Sequence, residues 1–142
     1  MRLLVLNGPN LNLLGTREPE VYGAGTLDDL EEALVEAFPE IEFRFVQSNH
    51  EGALLDALHA ARVDGTDGVV MNAGALSHTS VALRDAVAAI APVPVVEVHI
   101  SNVHAREGFR HVLLSGGACA GVISGLGRYG YHAAVGYLLE RA

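Results

Sequence analysis

Short apolar runs alternate along this chain with segments whose apolar residues recur at helical spacing. Residues 3–6 form one such run, and it ends at Asn7-Gly8-Pro9. Residues 41–46, 68–71, 95–100 and 121–123 are further runs of the same kind, and each predicts a strand. Between the first two, Leu27, Leu30, Leu34 and Phe38 share one face of a helix. Thr26 caps that helix, Asp28 and Asp29 favour its first turn, and Pro39 stops it. Leu54, Leu55 and Leu58 mark a second helix over 51–62. A third covers 79–91 and stops before Pro92, and a last one runs over 131–140. Residues 104–112 predict a short helix followed by irregular chain, and 10–25 a polar loop.

The pattern is β-α repeated five times. Strands that are apolar on both faces belong in a parallel sheet covered by helices. The length of 142 residues suits a single domain, 1–142, able to bury a substantial core. Five repeats in that length predict an open, doubly wound α/β sheet of five parallel strands in the flavodoxin-like order 2-1-3-4-5. Such sheets bind ligands beyond the carboxyl ends of the strands at the switch point, here between the first and third.

Composition removes several chemistries. The net charge of −8 opposes broad binding of nucleic acid or anionic membranes, which needs a basic surface. No apolar run approaches the ~20 residues that span a bilayer, and MRLLVLNGPN is too short an apolar run for a signal peptide. A single Cys allows no internal disulfide and no thiolate metal cluster, which points to a reducing, cytoplasmic compartment. All nine basic residues are Arg. The absence of Lys excludes a Schiff base and a P-loop lysine. None of the seven His falls in H-E-x-x-H or paired-Cys spacing, so no metal is expected. Gly125-Leu126-Gly127-Arg128-Tyr129-Gly130 matches a dinucleotide pattern, but the further strand and the acidic residue ~20 positions on are not expected by residue 142. Cys119, set among Gly and Ala, reads as a small packed residue.

The residues that end the strands carry the candidate chemistry. Asn7, Gly8, Pro9 and Asn10 follow the first; Asn72, Ala73 and Gly74, then Ser77 and His78, follow the third; His99, Ile100, Ser101 and Asn102 close the fourth. The strand order brings all of them to one rim. Singly, an Asn there is a turn former; convergence of three strand ends points to a site. Glu97, His99 and Ser101 alternate along the fourth strand and share a face. A buried Glu needs a partner, and His99 is the nearest, so the pair reads as an imidazole fixed by a carboxylate or as a structural pair. The long loop after the first strand reads as a lid over about 16–24, with Gly15 and Gly23 as hinges. Within it, Arg17 beside Tyr22 would favour the phenolate. Arg106 and Arg110, at i and i+4, would share a helical face and attract an anionic substrate.

Read together, these blocks resemble the type II 3-dehydroquinate dehydratase family: LNGPNLNLLGTREPEVYG at 6–23, QSNHEG at 47–52, NAGALSHTSVALRDA at 72–86 and EVHISNVHAREGFR at 97–110. The resemblance runs end to end and is weakest over 111–120, into which no functional residue is carried. It implies loss of water from 3-dehydroquinate to give 3-dehydroshikimate through an enolate, without metal or cofactor. It implies Tyr22 as the base at C2, Arg17 as the neighbour that keeps it reactive, and Asn10 as support for the enolate oxygen through a water. His99, oriented by Glu97, would protonate the departing C1 hydroxyl. Asn72, His78 and Arg110 would bind ring hydroxyls, and the backbone N–H groups of Ile100 and Ser101, with the Ser101 hydroxyl, the carboxylate. Asp85 would reach a neighbouring subunit's site in a dodecamer built as a tetramer of trimers. The competing readings are a flavodoxin-like binding module and a lyase for another small hydroxy acid. The loop carrying Pro9, Leu11, Leu13 and Leu14 is unlike a Ser/Thr/Gly phosphate cradle for flavin. A receiver would need Asp where Asn72 stands.

Overall fold

The structure, a computed structural model, describes residues 1–142. Five parallel strands, β1 (Arg2–Asn7), β2 (Glu42–Gln47), β3 (Gly68–Asn72), β4 (Val95–His99) and β5 (Gly121–Ser124), form one sheet in the order β2-β1-β3-β4-β5. Helices α1 (Pro19–Tyr22), α2 (Leu27–Ala37), α3 (Glu51–Ala61), α4 (Leu76–Thr79), α5 (Val81–Ala89) and α6 (Tyr129–Arg141) connect and flank them.

Alternation along each strand sorts the apolar residues into two cores. Leu3, Val5, Val70, Val96 and Val98 face Leu30 and Leu34 of α2 and Tyr131, Val135 and Leu138 of α6. Leu4, Leu6, Val69, Met71 and Val95 face Leu54 and Leu58 of α3 and Leu83 and Val87 of α5. Each fully buried Leu contributes roughly 1.5–3 kcal/mol relative to exposure. The two layers together hold the strand ends, and hence the rim, in register. No helix is long and apolar enough to cross a membrane.

Thr26 caps α2 as expected: its hydroxyl accepts from Asp29 N–H, and the Asp29 carboxylate accepts from Thr26 N–H at 2.8 Å. That contact holds the Asp29 carboxyl below its ordinary range.

Three expectations need correction. The helix expected over 79–91 is α5, Val81–Ala89; it starts later because Ser80 is extended (φ −93°, ψ 104°) and caps it by accepting from Leu83 N–H at 2.9 Å, which separates it from the short α4. A Ser hydroxyl offers the backbone this alternative to a continuous helix. The chain over 104–112 forms two 3₁₀ turns, Val103–Ala105 and Gly108–Arg110, separated at Arg106 (φ −112°, ψ −162°). Arg106 and Arg110 therefore do not share a helical face. The loop over 10–25 contains the 3₁₀ turn Leu11–Leu13 and the single-turn helix α1. Asn10 enters that turn with φ 71°, a conformation Asn tolerates better than most side chains.

Candidate active site

Asn7 and Asn72 are Cα partners at the ends of β1 and β3, and from there the two chains part toward opposite edges of the sheet. A cleft opens at that point. The segment after β1 lines it with Pro9, Asn10, Leu11, Leu14, Arg17 and Tyr22. The end of β3 and the chain after it add Asn72, Gly74, Ala75 and His78, and β4 with its following turns adds His99, Ile100, Ser101, Val103, Arg106 and Arg110. Of the residues to which the family resemblance gives a role, Glu97 and Asp85 are not in the wall; of the other strand-end residues, Asn7, Gly8, Ala73, Ser77 and Asn102 also lie outside it.

Glu97 stands directly behind it. Its Oε1 lies 2.6 Å from His99 Nε2, and its Oε2 accepts from the Ser115 hydroxyl at 2.6 Å. Glu97 and Ser115 have no exposed surface. A carboxylate only accepts, so the His99 proton sits on Nε2, which leaves Nδ1 without a protein partner at the cleft. The His78 ring stacks on His99 with centroids 5.9 Å apart, and its Nδ1 donates to Val112 O at 2.9 Å.

Asp85 is exposed on α5, its carboxylate 3.7 Å from Arg84 Nη1, and contributes nothing to the cleft of its own chain.

Where the chain after β4 meets the segment after β1, Arg106 Nη1 donates to the Tyr22 phenol oxygen at 2.8 Å and to Ser101 Oγ at 3.3 Å. The Arg17 guanidinium lies over the Tyr22 ring, 4.9 Å from its centroid, with Glu18 3.7 Å away. Both guanidinium groups thus bear on Tyr22, but the direct hydrogen bond comes from Arg106. Arg110 Nε pairs with Glu107 at 2.7 Å. The Glu107 carboxyl is held below its usual range by its own backbone N–H first, then by Arg110.

A third group supports Asn72. Gly74 N–H donates to Asn72 Oδ1 at 3.1 Å, Asn72 Nδ2 donates to Tyr131 at 2.9 Å, and the Tyr131 hydroxyl donates to Asn7 Oδ1 at 2.6 Å. Burial pushes the Tyr131 phenol far above its ordinary value, so it remains a donor. The chain of donors runs one way and settles which end of the Asn72 amide is which. The N–H groups of Ile100 and Ser101, at the cleft wall, donate to no protein acceptor. Adjacent free N–H groups of this kind form a concavity for an anion. No cluster of three His, Cys, Asp or Glu side chains is arranged to hold a metal ion.

Sequence reasoning missed Ser115, Tyr131 and the contact of Arg106 with Tyr22. Only Ser115 left a readable signal. A carboxylate buried in a central strand has more acceptor positions than one imidazole fills, so a second donor was required.

Fold and cleft define a doubly wound α/β protein with a guanidinium-contacted phenol and a carboxylate-backed imidazole facing one cavity at the switch point. The family model described as "Dehydroquinase class II" matches residues 1–139. The 3-dehydroquinate dehydratase of Janthinobacterium sp. (strain Marseille) is 55% identical over 141 residues, covering 98% of this chain and 97% of that protein. A catabolic 3-dehydroquinase of Sclerotinia sclerotiorum is 53% identical over 148 residues, covering 99% and 96%. The crystal structure of the type II dehydroquinase from Butyrivibrio crossotus superposes with a TM-score of 0.96 at 45% identity, covering 98% of this chain and 97% of that one. The chain belongs to the class II dehydroquinase family.

Proposed function

We propose that this chain is a hydro-lyase that removes water from 3-dehydroquinate to give 3-dehydroshikimate. The observation that carries the reading is the placement of Tyr22 and His99, each with its own charged partner, in the walls of one cleft. Elimination from a carbon beside a ketone needs a base, an acid and a place for negative charge to develop.

In this reading Tyr22, as phenolate, takes the C2 proton, and donation from Arg106 with the nearby charge of Arg17 stabilises the oxygen while it is anionic. The electron pair moves onto the C3 oxygen, which Asn10 supports through a water. When it returns, the C1–O bond breaks and His99, as the imidazolium with a proton on each ring nitrogen, gives its Nδ1 proton to make the leaving group water. Glu97 on Nε2 holds the ring for that transfer. The free N–H groups of Ile100 and Ser101, with the Ser101 hydroxyl, receive the substrate carboxylate. Asn72, His78 and Arg110 bind ring hydroxyls.

Residues 16–24 serve as a lid with Gly15 and Gly23, both at positive φ, as its hinges. The chain assembles in the cytoplasm as a dodecamer of four trimers, in which exposed Asp85 reaches a neighbour's cleft. Light scattering checks this: an active, stable monomer would refute it, as would an Asp85→Ala variant with unchanged assembly and turnover. The reaction itself is tested by mixing pure protein with 3-dehydroquinate and a chelator. Enone absorbance should rise; no rise would overturn the reading.

A further inference from the structure

We propose that Ser115 is a positioning residue for His99, acting through the buried carboxylate of Glu97. This rests on His99 being the acid of the reaction proposed above.

Glu97 sits in the middle of β4, with Met71 of β3 and Val122 of β5 as its Cα partners. It has no exposed surface, and no Arg lies within 4 Å of it. The two close donors it meets are His99 Nε2 on one oxygen and the Ser115 hydroxyl on the other, each at 2.6 Å. The Cys119 thiol is a distant third, 3.9 Å from Oε2 and turned toward Ser115 O at 3.3 Å. The titratable groups around the pair are therefore Cys119, which follows the 3₁₀ turn Gly116–Ala118, His99 from β4 itself, and His78, which stacks on His99 from α4.

The chain is built to deliver this hydroxyl. Leu114 N–H donates to Ser77 O at 2.7 Å, which ties the segment to α4. Ser115 O then accepts from Ala118 N–H at 3.0 Å. At Gly116 a Cβ would stand 2.9 Å from Val122 Cγ2 and 3.2 Å from Leu113 Cβ. The absence of a side chain there lets the turn press against β5 and carry Ser115 over the carboxylate.

The Ser115 hydroxyl has one hydrogen, and Glu97 takes it. Two charge-assisted bonds then hold the carboxylate in one rotamer and favour its ionised form. The ionised form in turn favours the imidazolium, the form that can give a proton to a leaving hydroxyl. With Ser115 removed, Oε2 is buried with only a weak thiol near it. The carboxylate then competes for the imidazolium proton, and less of the acid form exists at a given pH.

The test compares Ser115→Ala and Ser115→Thr with the native chain. Ser115→Ala should lower kcat about ten- to a hundredfold, the weight of one hydrogen bond to a charged group. KM should stay within about twofold, exchange of the substrate C2 proton should persist, and the alkaline limb of the rate profile should move to lower pH. Ser115→Thr keeps the hydroxyl and should recover most of the loss. Adding Ser115→Ala to Glu97→Gln should cost no more than Glu97→Gln alone, because the two residues act in series. In the ligand-free protein, NMR titration of the His99 ring should show proton loss at lower pH in Ser115→Ala than in the native chain. An unchanged ring titration, or a lowered melting temperature with an unchanged rate profile, would overturn the proposal. The ring titration needs no substrate, so it decides the role of Ser115 even if the native chain proves inactive on 3-dehydroquinate.

Discussion

Replacing Arg106 by Gln leaves an amide donor two bonds shorter and removes the charge and the hydrogen bond that touch Tyr22. The contact is a single hydrogen bond, Nη1 to the phenol oxygen at 2.8 Å, from a side chain only 17% exposed. Two unit charges ~4 Å apart interact by about 4 kcal/mol at an effective dielectric constant of ~20, which bounds the effect on a phenolate from above. Glu18 at 3.9 Å and Glu107 at 3.8 Å share the guanidinium charge and reduce it. A hydrogen bond to a charged partner is worth roughly 1.5–3 kcal/mol. At ~1.36 kcal/mol per tenfold in rate, Arg106→Gln should lose about 10- to 150-fold in turnover. Because Arg106 bears on Tyr22, the proposed base, C2 proton exchange and dehydration should fall together. His99→Ala should instead spare exchange and abolish dehydration. Tyr22→Phe should lose at least ~100-fold, the low end for general base catalysis, with an unchanged melt. Adding Arg106→Gln to it should then cost little, since the contact is already gone. The assays are enone absorbance, deuterium exchange at C2 and a thermal melt on each variant. Arg106→Gln turning over within threefold of the native chain, or lowering the rate equally with and without the Tyr22 hydroxyl, would refute the coupling.

Cys119 should resist alkylation in the native protein. Burial, with Glu97 nearby, pushes its thiol up to about 12; at pH 8 the thiolate is then about 1 part in 10⁴, against roughly a quarter for a free Cys near ~8.5. Iodoacetamide should label the folded chain more than ~1000-fold slower than the unfolded one, and comparable rates would contradict the packed placement. The Thr66 hydroxyl donates to Asp64 at 2.7 Å, and that bond holds the Asp64 carboxyl below its ordinary value. Its stabilisation is therefore present above pH ~4 and fades as the pH falls through the depressed folded value. Thr66→Val should melt lower than the native chain at pH 6 and converge with it near pH 2; a gap that persists at pH 2 would assign the loss to packing. Borohydride added with substrate should leave activity intact and add no mass, because the chain holds nine Arg and no Lys; covalent inactivation would refute it.

The sheet order was legible because hydrophobic patterning and connection type are local signals with few topological solutions. A run such as 68–71, apolar on both faces, belongs only in the middle of a covered parallel sheet. Once five such strands alternate with helices, the right-handed crossover rule leaves few arrangements. What patterning did not resolve were interruptions smaller than a helical turn. The turn of helix α4 ahead of Ser80 was not expected, and one hydroxyl capping Leu83 N–H sets the start of α5 at Val81. The same holds for Arg106, where a single extended residue between two 3₁₀ turns defeats a reading based on i, i+4 spacing.

The cleft shows where legibility ends in chemical terms. Glu97 and His99 could be paired from the sequence because two residues apart on one strand means the same face, whatever the rest of the chain does. The other contacts join segments with no such constraint: Arg106 meets Tyr22 across 84 residues, Tyr131 meets Asn7 across 124, and Ser115 meets Glu97 across 18. For those, residue type and strand position narrow the candidates, but the partner is chosen by how a turn packs. Arg17 and Arg106 carry the same group, and both approach the Tyr22 ring. Only Arg106 reaches the phenol oxygen, because the extended residue that broke the expected helix turns its guanidinium back toward Ser101 and Tyr22. The irregularity that defeated the spacing rule is thus the feature that brings a guanidinium onto the Tyr22 phenol.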